Sequence, residues 1–205
     1  MKKLFLSLIL ATVVFSANAQ INFIPKAGIS IASVNTNPVS NDIQYTTGFQ
    51  VGAALEFEVN DMFAIQPELL FIQKGYKLGG SGITLVNTLN YIEIPLLAKI
   101  KFGTEELLFH VNAGPSLGIL VSGAEKVTGG KTYNLTIGSK ETDDIKRTDF
   151  GLQFGGGLTF SNIVLDLRYG LGLSSTSNEP SGSNDTVKNK AISITVGYSI
   201  PIGGR

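Results

Sequence analysis

Between Thr148 and Leu173, apolar and non-apolar residues alternate on both sides of Ser161-Asn162, and this repeat leaves few folds open. Phe150, Leu152, Phe154, Leu158 and Phe160 take one parity, while Asp149, Gly151, Gln153, Gly155, Gly157 and Thr159 take the other. Ile163, Leu165, Leu167, Tyr169, Leu171 and Leu173 then alternate with Val164, Asp166, Arg168, Gly170 and Gly172. A period of two is the signature of a β-strand, and two such runs joined by two residues predict a hairpin. Each run lasts about ten residues or more, against roughly five or six for a globular strand. One face carries charges and glycines over that whole length, which predicts lipid against the other.

The same repeat recurs along the chain. It predicts further strands over Phe23 to Val34, Tyr45 to Val59, Met62 to Lys77, Thr88 to Phe102, Leu107 to Val121 and Lys190 to Pro201. The connections fall at 35–44, 60–61, 78–87, 103–106, 122–147, 161–162 and 174–189, so long and short alternate throughout. That order predicts short turns at one end and long loops at the other, as in an outer-membrane barrel with periplasmic turns and outward loops. In hydrocarbon every backbone polar group needs a partner within the protein, so the sheet has to close. The expected fold is all-β: an eight-stranded antiparallel up-and-down transmembrane β-barrel.

Charge falls on the predicted inner face. Glu56, Glu58, Glu68, Glu93, Asp149 and Asp166 share it with Lys26, Lys74, Lys99, Lys101 and Arg168. Eight strands leave room inside only for side chains, so these groups predict a paired, structural luminal network instead of an open pore. Phe57, Phe63, Phe102 and Phe160 near the short turns, and Tyr45, Phe71, Phe150 and Tyr169 nearer the long loops, predict interfacial girdles. Pro67, Pro95 and Pro115 lie inside strands with two neighbours each and remove ladder donors, which predicts local bulges or frayed pairs.

At the start of the chain, Lys2 and Lys3 precede an apolar run from Leu4 to Phe15 and the small-x-small sequence Ala17-Asn18-Ala19. This predicts a signal peptide over 1–19 and a mature barrel domain over 20–205. The chain has no cysteine, which excludes a lipoprotein anchor, disulfides and thiolate metal sites. Its net charge is +0, so no nucleic-acid partner is implied.

PELLFIQKG (Pro67 to Gly75), YIEIPLLAK (Tyr91 to Lys99), AGPSLG (Ala113 to Gly118) and RYGLGL (Arg168 to Leu173) together resemble the PorT-like family of small outer-membrane β-barrels of Gram-negative bacteria. The resemblance covers the mature chain and implies an integral outer-membrane protein. The motifs belong to the scaffold and none is a catalytic signature.

Other motifs in the chain lack the context their chemistry needs. Gly114-Pro115-Ser116-Leu117-Gly118 has the form G-x-S-x-G, but a nucleophile elbow needs a strand-turn-helix setting, and this segment lies within a strand. His110, the one histidine, is about 20 Å of extended chain from Ser116. Gly129-Gly130-Lys131-Thr132 is similar to the end of a phosphate-binding loop but lacks the preceding glycine and a following helix. Glu141, Asp143 and Asp144 have hard-cation chemistry, yet Lys140, Lys146 and Arg147 beside them favour a solvated charge run. No catalytic, cofactor or metal residue is therefore assigned. The expected protein is non-enzymatic, located in the outer membrane, and in contact with its lipid. Its outward loops, chiefly 122–147, would meet other envelope proteins. The alternatives are a small barrel enzyme acting on lipid, and a soluble, secreted, lipocalin-like barrel whose apolar face points inward.

Overall fold

The computed structural model describes residues 20–37, 42–80, 83–104, 106–138, 143–177 and 186–203. The expected signal peptide lies outside them, as does Glu141. Among the described residues eight strands form a ring: β1 (Ile21–Asn37), β2 (Thr46–Glu58), β3 (Phe63–Gly80), β4 (Ile83–Gly103), β5 (Leu107–Val127), β6 (Thr148–Phe160), β7 (Ile163–Gly172) and β8 (Thr186–Tyr198). Each pairs antiparallel with the next, and β1 closes the ring against β8 from Lys26 opposite Gly197 to Asn37 opposite Thr186. Three short segments join the sheet: Ile43–Gln44 beside β3, Thr132–Asn134 beside β5 and Ile200–Gly203 beside β1.

Parity sorts the side chains as the sequence predicts. Leu167, Phe154, Ile194, Val111 and Leu69 point outward and are exposed, while Lys26, Glu68, Lys99, Asp166 and Arg168 point inward and are buried. The lipocalin-like arrangement, with its apolar face inside, is thereby excluded. A continuous apolar surface of this extent is stable only against a non-aqueous neighbour. On β3 it runs from Phe63 to Phe71, roughly nine residues, which tilted strands turn into a band about 25 Å tall. Above Phe71 the outward face turns polar: Gln73 Nε2 donates to Asn90 Oδ1 (3.1 Å), and Asn90 Nδ2 donates to Ser122 Oγ (2.8 Å).

The strands outlast their predicted ends at the long-loop side. The connection expected over 78–87 is paired strand from Gly79 opposite Thr84 inward, and β5 continues to Val127. Backbone pairing needs no apolar alternation once a strand leaves the lipid, so glycine and polar residues extend it without a periodic signal. A second cause is local. Asn90 faces Ser122 but Tyr91 faces Leu120, so β5 carries an extra residue at Val121 that flips its parity. At the other terminus, the strand expected over Lys190 to Pro201 begins earlier, at Thr186, and breaks at Ser199.

The three prolines fray pairs without bulges. Pairing lapses between β2 and β3 beside Pro67, between β3 and β4 beside Pro95, and between β4 and β5 beside Pro115, with the register unchanged across each gap. At the short-turn end Ser161 adopts φ 53°, as the primed two-residue hairpin turns require, and Asn60 Oδ1 accepts from the backbone of Met62 and Phe63 (both 2.9 Å).

Candidate functional site

Alternate residues of neighbouring strands project into a lumen too narrow for water-filled space, so charged groups there must find one another. They do so in three tiers. Nearest the short turns, Lys99 Nζ meets Glu56 Oε2 at 2.5 Å and Lys101 Nζ meets Glu58 Oε1 at 2.7 Å. Asn22 Nδ2 also donates to Glu58 (3.0 Å).

At mid-height, Arg168 donates two hydrogen bonds to Glu68 (2.6 and 2.9 Å) and one to Asp166 (3.1 Å). Lys26 Nζ lies 3.0 Å from Glu68 and 2.9 Å from Asp166. His110 Nε2 reaches Asp166 Oδ1 at 2.8 Å, and Asn112 donates to the same oxygen. Gln66 joins the two lower tiers, donating to Glu68 (2.5 Å) and accepting from Lys99 (3.1 Å).

In the upper tier Lys74 lies 2.7 Å from Glu93 and 3.7 Å from Asp149. Gln153 donates to Glu93 (3.0 Å), and Asn189 Nδ2 donates to Asp149 (2.9 Å) and to the Tyr91 hydroxyl (3.1 Å). Every residue expected in the luminal network therefore has an opposite charge beside it. Sequence reasoning left out Gln66, Asn112, Gln153 and Asn189 as members. Their inward parity was the available signal for the first three, whereas Asn189 fell in an expected loop.

Above the charges the lumen is stopped by apolar side chains. Ile72, Leu89, Tyr91 and Leu120 form a buried cluster, and Leu135, Ile137 and Ile145 of the long connection fold onto it. The described residues of that connection, expected as a loop over 122–147, are partly paired with the barrel. Thr132–Asn134 pairs with β5, Ile145 bridges Ile137 and Ser177, and Lys146 N–H donates to Thr176 (2.8 Å). Gly129 (φ 76°) and Gly130 form the tip of this hairpin, where Gly130 N–H bonds to Val127. The sequence similar to a phosphate-binding loop is thus a turn. Voids of about 20 and 10 Å³ lie in the upper lumen, with a vestibule of about 180 Å³ at the short-turn end. An eight-stranded lumen is just wide enough for side chains to fill, as these do.

The remaining motifs are accounted for locally. Ser116 is buried within β5, and His110 is buried against Asp166 with its Nδ1 lacking a partner among the described residues. Asp144, outside the barrel, accepts from the backbone and hydroxyl of Thr136 (both 2.7 Å), and those bonds hold its carboxyl below the usual aspartate range. No group of three or more metal-ligating side chains occurs among the described residues.

An outward apolar band, a closed ring of eight strands and a filled polar interior define an outer-membrane barrel, and comparison agrees. Residues 16–178 match the outer membrane protein beta-barrel domain. The chain belongs to that family. It is an integral, transmembrane barrel of the outer membrane. OprG of Pseudomonas aeruginosa is similar in fold, at 10% identity over 92% of this chain and 99% of its own, with a TM-score of 0.50. Neisserial surface protein A aligns at 16% identity over 87% of this chain and 97% of its own (TM-score 0.49). The outer-membrane enzyme PagL aligns at 13% identity over 85% and 99% (TM-score 0.39). No curated protein matches the chain in sequence.

Proposed function

We propose that this barrel is a non-catalytic outer-membrane protein whose long-loop end is a binding surface for other macromolecules of the cell envelope. One observation carries the reading: β3, β4 and β5 continue past the lipid band as a paired sheet, with Thr132–Asn134 along its edge and Tyr133 exposed. Such an ordered platform presents side chains in fixed positions, which lowers the ordering cost of binding. The buried His110–Asp166 pair supports a non-catalytic interior, because neither group reaches a substrate-accessible surface. We read the finer family as PorT-like, on the four scaffold motifs above, with residues 1–19 removed on export and the luminal charges serving structure.

The chain has no cysteine, so single-cysteine labelling is unambiguous. A Tyr133→Cys variant should react with a membrane-impermeant maleimide in intact cells, and a Ser161→Cys variant only after permeabilisation. A photo-crosslinker at position 133 should then capture discrete partners that one at Leu167, on the lipid face, does not. The reverse labelling pattern, or no adduct at position 133, would overturn the reading.

A further inference from the structure

The lipid-facing surface carries a basic site at its upper edge. On β8 the outward residues read Val196, Ile194, Ile192, then Lys190 and Lys188, so apolar side chains give way to two successive cations on one parity. Lys190 lies opposite Ser33 and Lys188 opposite Asn35 on β1, one and two steps above the Ile31–Ile192 pair. Lys190 Nζ reaches across β1, donates to Asn35 Oδ1 (2.9 Å) and sits 5.4 Å from the centre of the exposed Tyr45 ring. Among the described residues neither lysine forms an ion pair.

We infer that Lys188 and Lys190, framed by Tyr45 and Asn35, form a binding site for a phosphorylated lipid headgroup of the outer leaflet. Two observations converge. The lysines are continuous with the lipid-contacting surface, so a headgroup on a lipid packed against Ile192 and Ile31 lies within their reach. An interfacial tyrosine with a cation on its face is an arrangement suited to the headgroup zone.

This rests on the long loops facing outward, which the labelling above tests separately. Lipid retention is measured in micelles, where orientation plays no part, so the two ideas fail independently. The refolded full mature chain would be loaded with bisphosphorylated lipid A, washed in neutral detergent and examined by native mass spectrometry. K188Q/K190Q should retain lipid A with an affinity lowered about fivefold per lysine, the weight of an interfacial cation of about 1 kcal/mol. K188R/K190R should retain it as the unaltered chain does, and K126Q, at an extramembrane lysine, should change nothing. Dephosphorylated lipid A should not be retained, and inorganic phosphate at the same concentration should not compete. Equal retention by K188Q/K190Q, retention of the dephosphorylated lipid or displacement by free phosphate would each overturn the site.

Discussion

Arg168 on β7 and Glu68 on β3, separated by 100 residues of chain, face each other across the lumen through two hydrogen bonds of 2.6 and 2.9 Å. The pair spans the barrel instead of joining neighbouring strands, so it ties opposite walls of the ring together as well as balancing charge. The bidentate fork suits arginine, whose planar donors match a carboxylate, and lysine would keep the charge but lose one bond.

Removing one partner should expose that dependence. Arg168→Met leaves Lys26 as the one ammonium shared by Glu68 and Asp166, and the uncompensated buried charge should cost about 3–5 kcal/mol. Equilibrium urea unfolding of the refolded barrel in lipid vesicles measures it. The double variant E68M/R168M removes one charge of each sign and should recover most of the loss.

The lipid face offers the complementary test. Leu167 is 55% exposed and lies midway along β7, between Gly156 and Ile194 on its neighbours. Leu167→Arg should therefore lower folding stability in vesicles by about 2–4 kcal/mol, as expected for a cation near the bilayer midplane. The same substitution at Tyr133, beyond the band, should be nearly neutral.

The ring and its inner face were legible because hydrocarbon outside and charge inside impose strict alternation along each strand. Asp149, Asp166 and Arg168 could be placed inward from parity alone. Their partners could not, since a strand pattern fixes which face a residue takes but not which residue waits across the lumen. Legibility stopped where the lipid stops. Gly79 and Gly80 read as loop but continue β3, and the extra residue at Val121 hid the outer half of β5 by reversing its parity. The apolar cap was equally hidden, because Leu135, Ile137 and Ile145 are isolated among polar neighbours and gain meaning only once folded onto Tyr91 and Leu120.

Gly157 of β6 and Gly170 of β7 should respond unequally to a side chain. A Cβ at Gly157 would meet the Leu165 carbonyl at 1.9 Å and the His110 ring at 2.9 Å, whereas at Gly170 the nearest atom is 3.8 Å away. Gly157→Ala should overpack the lumen and cost about 1–3 kcal/mol. Gly170→Ala should match the unaltered chain or exceed it slightly. Heat-modifiability on gels after refolding would separate the two.

The long connection should loosen in acid before the barrel does. Asp144 ties itself to Thr136 by two hydrogen bonds, and its carboxyl is held below the ordinary aspartate range by them. A depressed folded pKa means the ionised form is the one that binds, so this contribution is fully present above the ordinary aspartate pKa of about 3.9 and is lost as pH falls through the lower folded value. The site is exposed, so the effect is local and small. Amide exchange at Thr136 reads it directly: protection should hold at neutral pH, fall in strong acid and be absent at all pH values in Asp144→Ala. Asp144→Asn keeps an acceptor without the charge, and its protection should be weaker but independent of pH over that range. Protection at Thr136 in the unaltered chain that ignores pH down to full carboxyl protonation would show that the Ile137–Ile145 bridge, not Asp144, holds the segment.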